Sequence, residues 1–163
     1  MNAPSPGHSA GTDDAPPLQR TGPALHALVY YILLVTRRRR PLFAEAAVAS
    51  RVGELIASRG AEMGLSVQRV QVDPATVTIH VQAPPTLSPH KIVRELSRAV
   101  SAPLRAEFAH VRDLDGVFVR DYMVTSMPVP ETACDAFATG IPRRYVPKEP
   151  PAETGEAGET AEA

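Results

Sequence analysis

The chain has 163 residues, a length that allows one folded unit with modest tails and excludes a second full domain. Its 17 basic and 18 acidic residues give a formal net charge of −1, so the overall charge indicates neither a nucleic-acid partner nor a membrane surface. The distribution of charge differs from this average, because residues 24–148 carry +5 whereas residues 149–163 carry five glutamates and no base. A basic central unit therefore lies between acidic ends.

The content of cysteine and of aromatic residues limits the classes of site. The single cysteine, Cys134, excludes an internal disulfide framework and a cysteine-based zinc site, and it favours a cytoplasmic location. We expect no membrane association, because the start of the chain lacks the pattern of a signal peptide and the longest apolar run, 27–35, is too short to span a bilayer. With no tryptophan, the chain offers little stacking surface to a ligand.

Both ends of the chain are predicted to be disordered. Residues 1–24 are rich in proline and small polar residues, and residues 147–163 combine proline with glutamate, alanine and glycine. Such segments bury too little apolar surface to offset the entropy lost on ordering. We therefore predict a disordered tail at 1–24, a folded domain at 25–146 and a disordered acidic tail at 147–163.

The first half of the domain has one strand, one helix and a hairpin. The apolar, β-forming run 27–35 ends at four consecutive arginines, which predicts a strand entering a basic loop. Apolar residues at helical spacing predict a helix from 44 to about 63, followed by a C-cap glycine. The alternating segments 65–72 and 76–81 on either side of an Asp-Pro turn predict a β-hairpin.

The second half repeats the pattern of helix and strand. A Ser-Pro pair predicts the start of a helix over 89–108, which Pro103 should kink or split. A strand follows at 117–127, and a short helix at 130–139. The order β-α-β-β-α-β with an extra C-terminal helix predicts an α+β, ferredoxin-like antiparallel sheet, with helices on one face and the other face open.

Four segments follow one another in the order and spacing of a known family. Residues 30–42 read YYILLVTRRRRPL, where that family has approximately YHVVWVTKYRRPV, and residues 84–93 read PPTLSPHKIV against PPKLSPSKVV. Residues 104–108 and 121–125, LRAEF and DYMVT, are similar to the end of the same helix and to the strand after it. The domain thus resembles the single-tyrosine HUH transposases of small bacterial insertion sequences.

This resemblance implies a mechanism and a set of partners. In the family, two histidines spaced His-hydrophobic-His on a central strand and a glutamine on the last helix hold a divalent metal. A tyrosine on that helix attacks the phosphate of single-stranded DNA and forms a covalent 5′-phosphotyrosine. The resemblance also implies a homodimer, in which edge strands join, and single-stranded or hairpin DNA as the partner.

The chain departs from the family at each of these catalytic positions. Thr76 and Thr78 stand where the family has its two histidines, Phe137 stands at the nucleophilic tyrosine and Ile141 at the glutamine. A neutral hydroxyl is a poor replacement for imidazole as a metal ligand, and phenylalanine has no oxygen with which to attack. We therefore predict a degenerate site with no catalytic residue, and a divalent metal only if activity is retained.

Two groups of basic residues are predicted to bind nucleic acid. The run Arg37–Arg40 exceeds what solubility requires, and each guanidinium can neutralise a phosphate and release counterions. Further basic residues recur at mostly helical spacing along the second helix, where a solvated face and a DNA-facing one are equally compatible with the pattern. The complete set is Arg37, Arg38, Arg39, Arg40, Lys91, Arg94, Arg98 and Arg105.

The sequence predicts a transposase-like protein that binds a single strand or a hairpin of DNA without cutting it. Two alternatives stay open. The first is an active strand transferase in which Tyr122 or Tyr145, together with His80, has taken over the chemistry. The second is a dimeric interaction or regulatory module without a nucleic-acid partner. A covalent DNA adduct distinguishes the first from our prediction, and salt-dependent binding distinguishes the second.

Overall fold

A four-stranded antiparallel sheet is the centre of the computed structural model, which describes residues 16–141 of the chain. Two helices cover one face of the sheet, and a third packs on the other. The strands are β1 (Gln19–Thr21), β2 (Ala24–His26), β3 (Leu28–Thr36), β4 (Ser66–Asp73), β5 (Thr76–Ala83) and β6 (Phe118–Thr125). The helices are α1 (Ala46–Glu62), α2 (Pro89–Glu107), α3 (Ala109–Arg112) and α4 (Glu131–Gly140), with a 3₁₀ turn at Arg37–Arg39.

The central sheet has the strand order β4-β5-β3-β6, and all neighbouring strands are antiparallel. The first strand of the β-α-β-β-α-β unit, β3, therefore lies in the interior of the sheet, which is compatible with two interlocked split β-α-β units. The predicted α+β class is confirmed. None of the helices within residues 16–141 is long and apolar enough to cross a membrane.

Side chains of β3 alternate between two apolar clusters. Ile32 and Leu34 belong to the larger cluster, on the side of α1 and α2, whereas Leu33 and Val35 belong to a smaller cluster on the side of α4. A central strand that is buried on both faces has a continuous apolar run instead of a polar alternation. This explains why the run 27–35 is almost entirely apolar. The helical part of the larger cluster comprises Val48, Val52, Ile56, Ile92, Leu96 and Val100.

The prediction that the second face of the sheet is open is wrong for both ends of that face. At one end α4 packs on the smaller cluster through Ala138, which is buried. At the other end the buried Gln82 donates a hydrogen bond from Nε2 to the carbonyl oxygen of Pro17 at 2.7 Å, so an N-terminal segment lies over the sheet there. The open part is the stretch of sheet between these two coverings.

A short hairpin that the sequence analysis did not predict precedes the central sheet. β1 and β2 pair around Gly22, whose φ of +58° is readily available to glycine. Thr21 Oγ1 and His26 Nε2 lie 2.9 Å apart across the hairpin. The strand β1 falls in the segment assigned to the N-terminal tail. Residues 1–15 and 142–163, with the predicted acidic tail, lie outside the described residues.

Helix α2 begins where the sequence predicted, and Pro103 does not split it. Ser88 caps α2, because its Oγ accepts a hydrogen bond from the backbone nitrogen of Lys91 at 3.3 Å. Pro103 lies inside the helix, which continues to Glu107. The buried side chains of Val100 and Leu104, on either side of the proline, hold this last part of the helix in the core.

Ion pairs on the surface connect α1 with α2. Arg51 donates from Nε and Nη2 to the two carboxylate oxygens of Glu107 at 2.9 and 2.8 Å, and these hydrogen bonds hold the pKa of Glu107 below its ordinary value. Arg59 bonds Glu95 at 2.8 Å in the same way and lowers the pKa of that carboxyl. The first pair is exposed and the second is only partly buried, and ion pairs this accessible to solvent contribute little to the free energy of folding.

The contact between α1 and β4 depends on a glycine. A Cβ at Gly60 would collide with the Cγ2 of Val67, whereas a Cβ at Gly53 of the same helix would meet nothing within 4 Å. We expect Gly60→Ala to lower the free energy of unfolding by about 1–3 kcal/mol through overpacking. The control, Gly53→Ala, is expected to raise it by about 0.5–1 kcal/mol, since alanine is the better helix former. Urea denaturation measures both, and equal effects of the two variants would contradict this packing.

Candidate nucleic-acid interface

The four consecutive arginines form a tight turn where β3 ends. The backbone nitrogen of Arg37 donates to the carbonyl oxygen of Val117 at 2.8 Å. Thr36 donates from Oγ1 to the carbonyl oxygen of Arg40 at 2.7 Å, so the two ends of the turn are tied together. These bonds fix the backbone while the side chains beyond Arg37 stay exposed. The basic segment is thus a defined turn and not an open loop.

Two neighbouring residues of this turn have an unusual backbone conformation. Arg38 and Arg39 have φ of 59° and 52°, a region that residues with a Cβ rarely adopt and that costs about 1–3 kcal/mol each. Such strain persists only where the surrounding structure holds it, and it concentrates at functional sites. Here it results in two adjacent guanidinium groups at the surface of one turn.

Other basic residues lie at the same end of the sheet. A cleft of about 90 Å³ separates the turn from the loop 113–116, and Arg37 Nη1 lies 3.7 Å from Asp115 Oδ2 across it. Arg105, in the last turn of α2, donates from Nε to the carbonyl oxygen of Arg112, which directly precedes this loop, at 3.5 Å. We call this surface the basic end, and it consists of Arg37, Arg38, Arg39, Arg40, Arg105 and Arg112.

The remaining predicted basic residues are not part of the basic end. Lys91 is in the first turn of α2, about 21 Å along the helix axis from Arg105. Arg94 and Arg98 lie 3.7 and 3.9 Å from the carboxylate of Glu95, which partly neutralises their charge. The structure therefore joins Arg105 to the four-arginine turn and separates Lys91, Arg94 and Arg98 from it.

The two threonines at the family's histidine positions project from the same face of β5, as predicted. Thr76 pairs with Val35 and Thr78 with Leu33 on the α4 side of the sheet, while Val77 between them is buried on the other side. They line a cleft of about 420 Å³ between the sheet and α4. The polar residues that share this cleft are Gln71, Asp73, Glu131, Cys134 and Asp135.

Packing residues occupy the other two positions that the sequence analysis aligned with the family's site. Phe137 and Ile141 lie in the apolar cluster around Leu33 and Val35, which attaches α4 to the sheet. Burial also raises the pKa of the Cys134 thiol, so this side chain is a weak nucleophile at neutral pH. The helix that carries the reacting group in the resembled family is held here by hydrocarbon contacts.

These residues do not fit a divalent metal of the kind that the resemblance implies. The aligned donors are two neutral hydroxyls, at Thr76 and Thr78, and a hydrocarbon at Ile141, whereas such an ion requires converging imidazole, carboxylate or amide groups. Across residues 16–141, no three side chains of histidine, cysteine, aspartate or glutamate lie close enough together to hold one. The negative charges of the cleft do not form a chelating set.

The tyrosine proposed as a relocated nucleophile lies on the wrong face. Tyr122 pairs with Leu34 on the side of α1 and α2, and its hydroxyl is 3.0 Å from Nδ1 of His90 at the start of α2. The sheet separates it from the two threonines, so the observed geometry does not favour the alternative that uses Tyr122. His80 does share the face of Thr78, as predicted. Tyr145 lies outside the described residues.

Comparison with known proteins decides the family. The model of the IS200-like transposases matches residues 24–133 of this chain. The chain belongs to the IS200-like transposase family. This confirms the resemblance that the four sequence segments indicated. No protein in the search of curated sequences matches the chain.

Solved structures are similar to this IS200-like chain in fold. A crystal structure of a Deinococcus radiodurans R1 protein assigned as a transposase has a TM-score of 0.64 and 18% identity, and the match covers 74% of this chain and 93% of that one. A structure of a REP-associated tyrosine transposase bound to a REP hairpin has a TM-score of 0.47 and 10% identity, over 73% of this chain and 68% of that one. The first of these likenesses supports the fold.

Sequence reasoning missed one row of residues on the α4 side of this IS200-like domain. Arg69, His80 and Tyr31 are register partners across β4, β5 and β3. The signal was available, because a two-residue hairpin turn after Asp73 pairs Asp73 with Thr76 and therefore Arg69 with His80. The hairpin does not show that β3 lies beside β5, so the sequence could not place Tyr31 opposite His80.

Proposed function

We propose that this IS200-like protein binds folded single-stranded DNA through its basic end and does not cleave it. The observation that carries the proposal is a contrast between two surfaces of one domain. A backbone-fixed turn displays arginines at one end of the sheet, while the cleft at the family's catalytic position holds hydroxyls, hydrocarbon and carboxylates. The first surface suits a DNA backbone, and the second does not suit the chemistry of cutting one.

The basic end supports binding through charge and geometry. Guanidinium groups donate two parallel hydrogen bonds to phosphate oxygens, and each neutralised phosphate releases counterions. Two acidic residues, Asp113 and Asp115, line the cleft beside the turn against three arginines, and Arg37 lies 3.7 Å from Asp115. An excess of positive charge therefore remains at this end for a polyanionic ligand.

The cleft supports binding without cleavage. Transfer of a DNA strand to the protein requires a nucleophilic side-chain atom such as a hydroxyl oxygen, a thiol sulfur or an imidazole nitrogen, and the ring of Phe137 supplies none. A phosphate placed beside Thr76 would also meet the carboxylates that line the cleft, Asp73, Glu131 and Asp135. These negative charges disfavour the entry of a phosphate, and residues 16–141 contain no cluster of metal-ligating side chains that could offset the repulsion.

A homodimer and a cytoplasmic location are also part of this proposal. The outer strands of the central sheet are β4 and β6, whose outward backbone groups have no partner strand among the described residues. Pairing with a second copy would satisfy such an edge. The family membership agrees with a protein that acts on DNA inside the cell, as the single cysteine suggested.

The test of this proposal is the salt dependence of binding. We expect a labelled hairpin with a single-stranded flank to bind the purified protein, with affinity falling steeply as salt rises. Neutralisation of four to six phosphates gives a slope of log affinity against log salt of about −3 to −5. Fluorescence anisotropy at several salt concentrations measures it. No binding at low salt would overturn the proposal and favour an interaction module without a nucleic-acid partner.

A further inference from the structure

A groove crosses the α4 side of the sheet between the two coverings of that face. Its floor contains a tyrosine of β3 and a histidine of β5, and one wall is the connection from β6 to α4, with Pro128 and Val129. Two adjoining clefts of about 190 and 590 Å³ share both ring residues. We call it the ring groove, and its lining includes Tyr31, Gln68, Arg69, Gln71, Thr78 and His80.

The two rings form a rigid, stacked pair. Tyr31 and His80 are direct partners in the β3–β5 register, with ring centroids 4.3 Å apart and planes inclined by 12°. Both side chains are half-buried, so part of each remains accessible from the groove. Because the two strands are in the interior of the sheet, the pair is positioned before any ligand binds. Pre-positioned aromatic surface binds planar groups at a low cost in entropy.

Polar groups surround the rings on the outer strand. Arg69 lies opposite His80 and donates from Nη2 to Oε1 of Gln71 at 3.3 Å, and Gln71 in turn donates to Asp73 at 3.3 Å. Gln68 occupies the irregular position of β4 next to them. Amides, a hydroxyl and one guanidinium thus border an aromatic platform, and amide groups match the donors and acceptors along the edge of a nucleobase.

We propose that the ring groove binds an unpaired nucleobase of single-stranded DNA, with Tyr31 as the stacking surface. This inference rests on the proposed function and deepens it, since the basic end holds the DNA backbone and the ring groove receives one base. Arg69 is the only cation lining the described groove, so a polyanionic backbone is not its main ligand. Every base has a π-face, and stacking therefore tolerates any sequence.

The two surfaces are close enough for one bound DNA molecule to contact both. Tyr31 and Arg37 are six positions apart on the same strand and the turn that follows it, which corresponds to about 20 Å. A base in the groove must be unstacked and unpaired, because α4 and the N-terminal segment flank the open stretch of sheet. A duplex would reach the basic end without entering the groove.

The experiment compares three variants on two DNA probes. Tyr31→Leu removes the ring, Tyr31→Phe keeps it, and Tyr122→Leu removes a half-buried tyrosine ring from the opposite face. On a mixed-sequence single strand, we expect Tyr31→Leu to weaken binding by about tenfold with an unchanged salt slope, as loss of one stacked base predicts. The other two variants should bind like the wild type, and a blunt duplex of the same sequence should not distinguish any of them.

A second measurement on the wild-type protein does not depend on the folding of a variant. The single strand is labelled with 2-aminopurine, and we expect its fluorescence to be quenched on binding as the base stacks on Tyr31. Absence of quenching at every label position would overturn the proposal that the ring groove binds a base. The same holds if Tyr31→Leu weakens binding of the duplex and of the single strand equally. Either result leaves the proposed function standing if salt-dependent binding persists. Failure of the wild-type protein to bind any DNA would overturn both the proposed function and the proposal for the ring groove.

Discussion

Replacing Arg37, Arg38, Arg39 and Arg40 together by alanine is expected to weaken DNA binding by about 100-fold at moderate salt and to flatten the salt slope by about three. The turn fixes its backbone through Thr36 and Val117, so the substitutions remove charge without removing the bonds that shape it. Because phosphate contacts carry no sequence information, the loss should be similar for different hairpins. Anisotropy titrations at several salt concentrations measure both quantities.

The matched control is a set of charges at another place on the domain. Lys91, Arg94 and Arg98 are similarly exposed on α2 but lie away from the basic end. Their combined replacement by alanine should change the slope by less than one. If the two multiple variants weaken binding equally, overall charge and not the arginine turn determines affinity. The assignment of the basic end as the DNA-binding surface would then be wrong.

Incubation of the protein with labelled single-stranded DNA and Mn²⁺ is expected to give no protein-linked product. The alignment predicted from the sequence places Phe137 at the family's nucleophile, and Thr76 and Thr78 at its metal ligands. The resemblance implies that a family member with the tyrosine and the metal ligands forms a covalent DNA intermediate, whereas this protein is expected to form none. A denaturing gel after a single-turnover incubation shows the difference directly.

Variants distinguish the possible sources of any product. Phe137→Tyr should also remain inactive, because the two threonines supply no imidazole for a metal. A protein-linked band that disappears in Tyr145→Phe would contradict the expectation and support a relocated tyrosine. The same control applies to Tyr31→Phe, since Tyr31 lies on the face of the threonines, whereas Tyr122 lies on the other.

Periodicity predicted the four strands of the central sheet, the helices α1, α2 and α4, and the side of β5 on which the threonines lie. Thr76 and Thr78 alternate with Val77 and Ile79, and a strand with one face in a hydrophobic core fixes which residues point away from it. The helix α1 followed from apolar residues at a period of 3.6, and its observed bounds differ from the prediction by one or two residues. Local patterns were sufficient for these features.

Features that depend on the relative placement of elements were not predictable. The spacing of Lys91 and Arg105 puts both on α2, but only the path of α2 over the sheet shows that they lie at different ends of it. The composition around Pro16 and Pro17 indicated disorder, yet a hydrogen bond from Gln82, distant in sequence, places this segment on the sheet. Tertiary contacts of this kind outweigh local preference.

The packing of α4 also constrains which side chains its inner positions can hold. Phe137 and Ile141 bury hydrocarbon against Leu33 and Val35, which lowers the free energy of the folded state in proportion to the buried area. A polar group introduced at either position must be desolvated or must leave that contact. A polar replacement of Phe137 or Ile141 is therefore expected to lower the free energy of unfolding, whatever chemistry it adds. The attachment of α4 to the sheet thus selects for hydrocarbon at both positions, independently of what the neighbouring cleft binds.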